Sequence, residues 1–279
     1  ILLSSTSKHK TRRHICCCRS HHKTCFSKYG SPPSLAHYLV ARIIDTGNLY
    51  FAQLVLDGVS MEQNNYISIW DSLINGFIRL GELRKSLTLH RIINQKCDSF
   101  LSSHTYVGLL KACAQLKDRE KGSEIHDEIV SVGLLNSDPF VGVALIDMYV
   151  KCDSFTDARD LLNVLPVHNV VARNVLISGY LRKECFLDAL CYFEEMKMAG
   201  VSPNEVTFSC MLKACSNSED IGKGVEIHAE VCRKGLLRTN CYLGNGLIEM
   251  YAKTGNLTKA QEVFDELPVR NAVSWNLLI

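Results

Sequence analysis

Two stretches of the chain recur at a fixed spacing of 102 residues. LLKACAQLKDREKGSEIHDEIVSVGL begins at Leu109 and returns as MLKACSNSEDIGKGVEIHAEVCRKGL at Met211. The same shift carries ALIDMYVKCDSFTDARDLL, from Ala144, onto GLIEMYAKTGNLTKAQEVF, from Gly246. Self-similarity at a fixed period is typical of repeat architectures, in which each unit buries its apolar face against its neighbours. The chain is therefore predicted to be a repeat array.

Apolar residues within each repeat follow the period of an α-helix. They recur at i, i+3, i+4 and i+7, which defines one face of an amphipathic helix. In one such helix these positions are held by Phe208, Met211, Leu212 and Cys215. A turn then precedes a second helix that combines small and large apolar residues, such as Ala260 and Phe264. The pattern predicts an all-α solenoid of helix-turn-helix repeats.

The predicted hairpins divide the chain from residue 33 onward. Three hairpins make up each round of 102 residues. We place them at residues 33–66, 67–102, 103–138, 139–169, 170–204, 205–240 and 241–271, and residues 272–279 begin a truncated hairpin.

Residues 1–32 form a basic, serine-rich front end without an acidic residue. This composition is typical of an organellar transit peptide, and a disordered tail is the alternative. The segment also holds clustered histidines and cysteines, but three adjacent cysteines cannot all converge on one tetrahedral ion. We therefore predict a leader without a metal site at His14, Cys16, Cys17, Cys18, His21, His22 and Cys25.

Cysteines elsewhere follow the apolar helical pattern. A free cysteine behaves as a small hydrophobe, and unpaired thiols indicate a reducing compartment. We expect buried, free thiols at Cys113, Cys191, Cys210 and Cys215.

The charge is distributed unevenly along the chain. All 29 acidic residues lie at Asp45 or later, and this part of the chain contains 23 basic residues. A nucleic-acid partner would then gain only part of its affinity from counterion release, and local basic stripes would matter more. No run of about 18 apolar residues occurs, so no membrane-spanning helix is expected. We expect neither a membrane nor a small-molecule substrate or cofactor as a partner.

The hairpin lengths alternate between 36, 31 and 35 residues, and several motifs accompany them. The motifs are NVLISGY (174–180), YFEEMKMAGVSPN (192–204), MLKAC (211–215), GLIEMYAKTGNL (246–257) and AVSWNLLI (272–279). Together they resemble the PLS subclass of plant pentatricopeptide repeats, whereas tetratricopeptide repeats keep a fixed period of about 34 residues. The resemblance implies a right-handed superhelix whose hairpins, from residue 33, are of types S (degenerate), P, L, S, P, L, S and P.

This resemblance also implies a ligand, single-stranded organellar RNA, with one base facing each hairpin in a mitochondrion or chloroplast. In the family, the fifth and last residues of a hairpin select the base, and the second residue packs between bases. The selecting pairs would be Asp71 with Ser102, Val107 with Asp138, Val143 with Asn169, Asn174 with Asn204, Ser209 with Asn240, and Asn245 with Asn271, with Asn276 in the truncated hairpin. The packing residues would be Val171, Val206, Tyr242 and Val273.

Short amides, hydroxyls and carboxylates suit the selecting positions because they can pair with a Watson–Crick edge from a fixed helix. Under the family code, Asn174 with Asn204 and Asn245 with Asn271 resemble pyrimidine readers. Val143 has no hydrogen-bonding side chain, so no base selection is expected there. The hairpin at 33–66 is assigned no base, and the alternative for each packing valine is ordinary core.

Two HxE tripeptides, at His126–Glu128 and His228–Glu230, resemble half of a zinc deaminase signature. The PCxxC half is absent, and both tripeptides occupy the same place in their hairpins, which favours a structural role. No glycine-rich phosphate loop, GxSxG elbow or HExxH occurs. This segment is predicted to be a binding module and not an enzyme.

Three functions fit these patterns. The first is an RNA binder that specifies C-to-U editing sites, with a deaminase in cis or recruited in trans, or with accessory editing proteins. The second is an organellar factor for RNA stabilisation, splicing or translation without editing. The third is a protein-binding scaffold, which would leave Asn174, Asn204, Asn245 and Asn271 dispensable.

Overall fold

The computed structural model describes residues 42–43, 63–96, 100–165 and 169–278. Regular structure in these ranges is helical throughout and includes no strand, so the predicted all-α fold is confirmed. The leader, its histidines and cysteines, and nearly all of the hairpin predicted at 33–66 lie outside the described residues.

The helices follow one another with short turns. They are α1 (Gln63–Arg79), α2 (Leu83–Lys96), α3 (Ser103–Leu116), α4 (Arg119–Val132), α5 (Leu134–Ser137), α6 (Pro139–Lys151), α7 (Phe155–Val164), α8 (Val170–Arg182), α9 (Phe186–Met198), α10 (Glu205–Ser218), α11 (Ile221–Arg233), α12 (Cys241–Lys253), α13 (Leu257–Glu266) and α14 (Ala272–Asn276). A 3₁₀ turn at Leu236–Arg238 precedes α12. Helices α3, α6, α8, α10 and α12 are the first helices of five hairpins, and α4, α7, α9, α11 and α13 are their second helices.

The chain divides into two compact units, Ile1–Leu73 and Ile74–Ile279. In the first unit, the side chains of Trp70 and Leu73 on α1 are buried. In the second unit, the first helices pack against each other in an unbroken row, α3 on α6, α6 on α8, α8 on α10, and α10 on α12. Each second helix also packs against the first helix of the next hairpin. The unit is therefore a stack of hairpins.

The apolar face predicted for α10 is the face that this stack covers. Phe208, Met211, Leu212 and Cys215 are all fully buried. Burying a side chain of the size of Leu or Phe contributes about 1.5–3 kcal/mol, so each hairpin depends on its neighbours for stability.

The cysteine prediction holds only in part. Cys113 and Cys215 are buried, and burial raises the pKa of each thiol to about 12. Cys210 is half-buried and Cys191 is exposed, so the prediction of a buried thiol at Cys191 is wrong. Cys191 lies on α9 beside Leu190 and Tyr192, which are both buried, and its own side chain faces outward.

Close approach between helices requires glycine at one repeated position. A Cβ added to Gly224 on α11 would stand 2.6 Å from the Sδ atom of Met250 on α12. Gly122 and Met148 make the same contact 102 residues earlier. A side chain at either glycine would require the facing methionine side chain to move, because the atoms it meets are that side chain's Sδ and Cε.

The turns between paired helices need a left-handed backbone. Gly255 takes this conformation with φ of 79°, but Lys117, Asp153, Glu184 and Glu219 take it with φ between 54° and 63°. A non-glycine residue in this region costs roughly 1–2 kcal/mol.

Replacing Glu219 with glycine should therefore stabilise the protein. The net gain is expected to be about 0.5–1 kcal/mol, because the relief of strain exceeds the entropy that glycine adds to the unfolded chain. Urea unfolding followed by circular dichroism measures this change. The reverse substitution, Gly255→Glu, should destabilise the protein, and an unchanged midpoint in both variants would contradict the account.

Candidate functional site

From Ser102 onward, the predicted last residue of each hairpin is the N-cap of the next helix, whereas the predicted boundary between residues 66 and 67 lies inside α1. In each case a side-chain oxygen accepts a hydrogen bond from a backbone N–H of the following turn. Such N-caps contribute about 1 kcal/mol and favour Asn, Asp and Ser. The capping residues are Asp138, Asn169, Asn204, Asn240 and Asn271, and Ser102 caps α3 in the same way. Capping alone thus explains short polar residues at these positions.

The pair Asn174 and Asn204 is joined by a hydrogen-bond network. Asn174 Nδ2 donates to Asn204 Oδ1 at 3.0 Å, and Thr207 Oγ1 lies 2.7 Å from Asn174 Oδ1. Asn204 also forms a capping box with Thr207 at the start of α10. The structure therefore brings together two residues that lie 30 positions apart and were predicted to act as a pair.

The pair Asn245 and Asn271 repeats this arrangement with Ser274 in place of threonine. Asn245 Nδ2 lies 3.4 Å from Asn271 Oδ1, and Ser274 Oγ donates to Asn245 Oδ1 at 2.6 Å. Asn245 is 7% exposed, as is Asn174. In both pairs the amide at the fifth position is nearly buried and its oxygen is already hydrogen-bonded.

An open groove of about 630 Å³ lies between α8 and α10. This volume falls within the range of roughly 300–1,000 Å³ that is usual for ligand sites. Its wall combines predicted selecting residues, predicted packing residues and two basic side chains. They are Asn174, Asn204, Ser209, Val171, Val206, Arg182 and Lys213.

The predicted packing residues are exposed and do not belong to the core. Val171, Val206, Val273 and Tyr242 are each more than half exposed, at the first turns of α8, α10, α14 and α12. The alternative interpretation of the valines as ordinary core is therefore wrong. Exposed apolar side chains in a repeated position form a surface on which flat rings can stack.

Sequence reasoning left the second position unassigned in two hairpins. Phe140 is 75% exposed and occupies the second position of its hairpin, at the start of α6. His104 is exposed at the corresponding place on α3. The hairpin register already contained the signal, because both residues follow directly from the boundaries placed at 103 and 139.

The other predicted selecting residues have varied surroundings. Val107 and Val143 are half-buried, and neither offers a hydrogen-bonding side chain. The Asn240 amide nitrogen is 2.6 Å from Glu205 Oε2, so this amide is already engaged. Asp71 is half-buried on α1, and Asn276 is exposed at the end of α14.

Charge is divided between the two kinds of helix. The five first helices carry six basic and three acidic residues, whereas the five second helices carry seven basic and fourteen acidic residues. Two of the basic residues, Arg182 and Lys213, have no carboxylate within ion-pair distance in the described part of the chain. The row of first helices is thus positive although residues 45–279 have an acidic excess.

The histidines of the two HxE tripeptides have a structural role. His126 Nδ1 lies 2.9 Å from the Tyr149 hydroxyl, and His228 Nδ1 lies 2.9 Å from the Tyr251 hydroxyl. No group of three or more potential metal ligands occurs among the described residues. In the same part of the chain, no helix has the length and apolar character needed to cross a bilayer.

These features define a helical-hairpin repeat protein with a polar, positively charged row of first helices. A family model described as "PPR repeat family" matches residues 168–217, and one described as "PPR repeat" matches residues 68–96, 206–236 and 245–271. The chain belongs to the pentatricopeptide repeat family.

Relatives in Arabidopsis thaliana agree with this assignment. A chloroplastic pentatricopeptide repeat-containing protein is 34% identical over 84% of this chain and 37% of its own length. A putative mitochondrial one is 33% identical over 82% of this chain and 35% of its own length. The chain thus spans little more than a third of either relative, and the chloroplastic and mitochondrial names of these relatives agree with the predicted mitochondrion or chloroplast.

Solved structures show the same fold. The chain matches the pentatricopeptide repeat protein PPR10 from maize with a TM-score of 0.63 at 19% identity, over 96% of this chain and 39% of that one. It matches PPR10 in complex with an 18-nt psaJ RNA element with a TM-score of 0.59 at 16% identity, over 99% and 41% of the two chains.

The half-buried histidines His126 and His228 should make stability depend on pH. Burial lowers the pKa of both His126 and His228 from the ordinary value of 6.5. The stability that the neutral rings contribute is therefore complete above about pH 6.5 and is lost as the pH falls below that value. The urea midpoint of the wild-type chain should fall between pH 7.5 and pH 5.5 by more than that of the double variant His126→Gln, His228→Gln.

Glutamine keeps a group that can bond the tyrosine hydroxyl but does not titrate. The matched control is His104→Gln, which changes an exposed histidine and should leave the wild-type pH dependence in place. Equal pH dependence in the wild-type chain and the double variant would show that these two rings do not contribute.

Proposed function

We propose that this chain binds single-stranded RNA along the row of first helices, one base to a hairpin, in a mitochondrion or chloroplast. The observation that carries the proposal is the groove between α8 and α10, where a selecting pair, two packing valines and two basic side chains share one wall. Each component matches one part of a nucleotide, namely the base edge, the base face and the phosphate.

Recognition of the base face follows from the exposed residues at the first turn of each helix. A base inserted between Val171 and Val206 would cover apolar surface that water now contacts. Phe140 and Tyr242 offer aromatic rings at the same place on α6 and α12. Stacking of this kind contributes about 1–3 kcal/mol per base and does not depend on base identity.

The asparagine amides of the two selecting pairs recognise the base edge. Asn204 is exposed, and its Nδ2 has no partner within the described residues, so it can donate to an acceptor on the base. Asn174 lies beside it at the bottom of the same wall. Asn245 and Asn271 form the same contact two hairpins later, where the Asn271 amide nitrogen also lies 4.0 Å from Cys241 Sγ. The remaining selecting residues named above are proposed to act in the same register.

Arg182 and Lys213, which form no ion pair within the described residues, contact the phosphates. Arg182 and Lys213 lie toward the C-terminal ends of α8 and α10, several turns from the capping amides. Most acidic residues lie on the second helices, so their repulsion of the RNA backbone acts from a greater distance and is partly screened by salt. Asp147 does line the groove, but its carboxylate is paired with Lys151. An excess of acid in the whole chain is therefore compatible with RNA binding.

The finer proposal concerns the process that the RNA binding serves. Rounds of three hairpins with unequal lengths support the PLS subclass, and we propose that the full protein specifies sites of C-to-U editing. The deamination itself would be carried out by a deaminase domain of the same protein or by a deaminase recruited in trans, with or without accessory editing proteins. The repeats would provide RNA binding and the register of the site. The crystal structure of PPR10 in complex with an 18-nt psaJ RNA element supports RNA binding within the same fold.

Selection from a random single-stranded RNA pool tests the proposal. The full chain should enrich a short motif with pyrimidines at two positions separated by one nucleotide, which correspond to Asn174 and Asn245. Asn174→Ala should weaken the preference at one of these positions by about three- to tenfold, the value of one neutral hydrogen bond.

Asn163→Ala is the matched control, because Asn163 is exposed on the second helix α7. Circular dichroism establishes that each variant is folded. A folded wild-type chain that enriches no motif would refute base reading by this chain and would favour a protein-binding scaffold.

Salt dependence tests the phosphate contacts separately. Lys213→Gln should weaken binding equally for preferred and non-preferred RNA, and should reduce the slope of log Kd against log salt concentration by about 0.7. Lys259→Gln removes the same charge from α13, a second helix, and should leave the slope unchanged. Equal slopes for the two variants would exclude Lys213 from the RNA path.

A further inference from the structure

Two positions change together between the two rounds of 102 residues. One is the fifth residue of a hairpin, and the other is the third residue of the hairpin that follows it. In the second round, Asn245 at the fifth position is accompanied by Ser274. At the positions 102 residues earlier, valine (Val143) is accompanied by alanine (Ala172). The hydroxyl is therefore present where the fifth residue is an amide and absent where it is apolar.

Capping accounts for only one contact of this hydroxyl. Thr207 Oγ1 and Ser274 Oγ complete capping boxes by accepting from the backbone N–H of Asn204 and Asn271. A cap also forms without this hydroxyl, since Asn169 caps α8 in front of Ala172 and Asn240 caps α12 in front of Leu243. In the capping box the hydroxyl acts as an acceptor, so its proton is left for the contacts that it makes outside the cap.

Those contacts fix the direction of every hydrogen bond around Asn174. The backbone N–H of Thr207 can only donate, so the atom of Asn204 facing it at 3.0 Å is the oxygen. The backbone N–H of Asn204 donates to Thr207 Oγ1 at 3.2 Å, which leaves the hydroxyl proton for another acceptor. The shortest contact of the hydroxyl, 2.7 Å, is to Asn174 Oδ1. The Asn174 amide nitrogen then donates to Asn204 Oδ1 at 3.0 Å.

We infer that the hydroxyls of Thr207 and Ser274 are positioning groups that set which face of the neighbouring amide pair meets the base. Each hydroxyl holds the amide oxygens inward, so the pair presents N–H donors to the groove. This inference rests on the proposed function and adds a third residue to each of the two selecting pairs.

A face that presents only donors favours bases rich in acceptors on the pairing edge. Cytosine offers N3 and O2, and uracil offers O2 and O4. Without the hydroxyl, the Asn174 oxygen loses its donor, and the amide is held only by the bond from its nitrogen to Asn204 Oδ1, so its angle to the groove is less fixed. Loss of the hydroxyl should therefore relax base preference more than it lowers affinity.

The first arm of the test compares the full wild-type chain with Thr207→Val and Thr207→Ser by selection from a random single-stranded RNA pool. Thr207→Val keeps the side-chain shape and removes the hydroxyl. It should reduce the pyrimidine preference at the position read by Asn174 by about three- to tenfold, and leave the position read by Asn245 unchanged. Thr207→Ser restores the hydroxyl and should restore the preference.

The second arm is a gain of function, which unfolding cannot imitate. Val143→Asn with Ala172→Ser reproduces at the earlier junction the residues found at Asn245 and Ser274. The double variant should acquire a new pyrimidine preference directly next to the position read by Asn174, on the side away from that read by Asn245. Ala172→Ser alone should add none, and Val143→Asn alone should add a weaker one.

The outcomes separate this inference from the function on which it rests. A wild-type chain that selects no motif refutes the proposed function, and the inference with it. A motif that survives Thr207→Val unchanged, or that loses affinity equally for all bases, refutes the inference alone. A folded double variant without a new preference refutes it as well.

Discussion

Burial of each hairpin against the next is the constraint on which the rest of the structure depends. A pair of helices three turns long has too little apolar surface for a core of its own. The row from α3 to α12 supplies the missing contacts, with side chains such as Phe208 and Met211 fully covered. Glycine at Gly122 and Gly224 brings the second helix close enough for this contact. The same packing spaces the first helices evenly along one face.

The junction between hairpins serves the fold and the proposed site with the same atoms. A helix N-terminus needs acceptors for its free N–H groups, and an asparagine oxygen supplies one. The amide nitrogen of Asn204 is then left pointing away from the helix. Asn204 thus presents a donor beside Asn174, whereas the amide nitrogen of Asn240 is bonded to Glu205 and the Asp138 carboxylate has no donor. Asn169 caps α8 without a third-position hydroxyl, whereas the hydroxyls of Thr207 and Ser274 complete capping boxes and also bond the nearly buried amides of Asn174 and Asn245.

Acidic and basic residues are distributed unevenly between the first and second helices of the hairpins. The first helices carry few acids, and the second helices carry most of them. This arrangement suits a protein that discriminates among bases, because weak bulk attraction limits binding to unrelated sequences. Lys151 and Lys253 are held by Asp147 and Glu249 on their own helices. Arg182 and Lys213 are free of such pairs, and they flank the groove that holds the selecting amides.

The sequence by itself determined the class of fold, the repeat period and the register of the candidate site. The period of 102 residues and the helical spacing of i, i+3, i+4 and i+7 are both legible in the order of residues, and the register they define pairs Asn174 with Asn204. Only the tertiary structure decided which atoms of a pair are free and which are used. Asn245 lies on α12 and Asn240 caps the same helix, yet the first bonds Ser274 and the second bonds Glu205. Hydrogen-bond direction and exposure depend on neighbours about 30 residues away, and residue identity alone does not specify them.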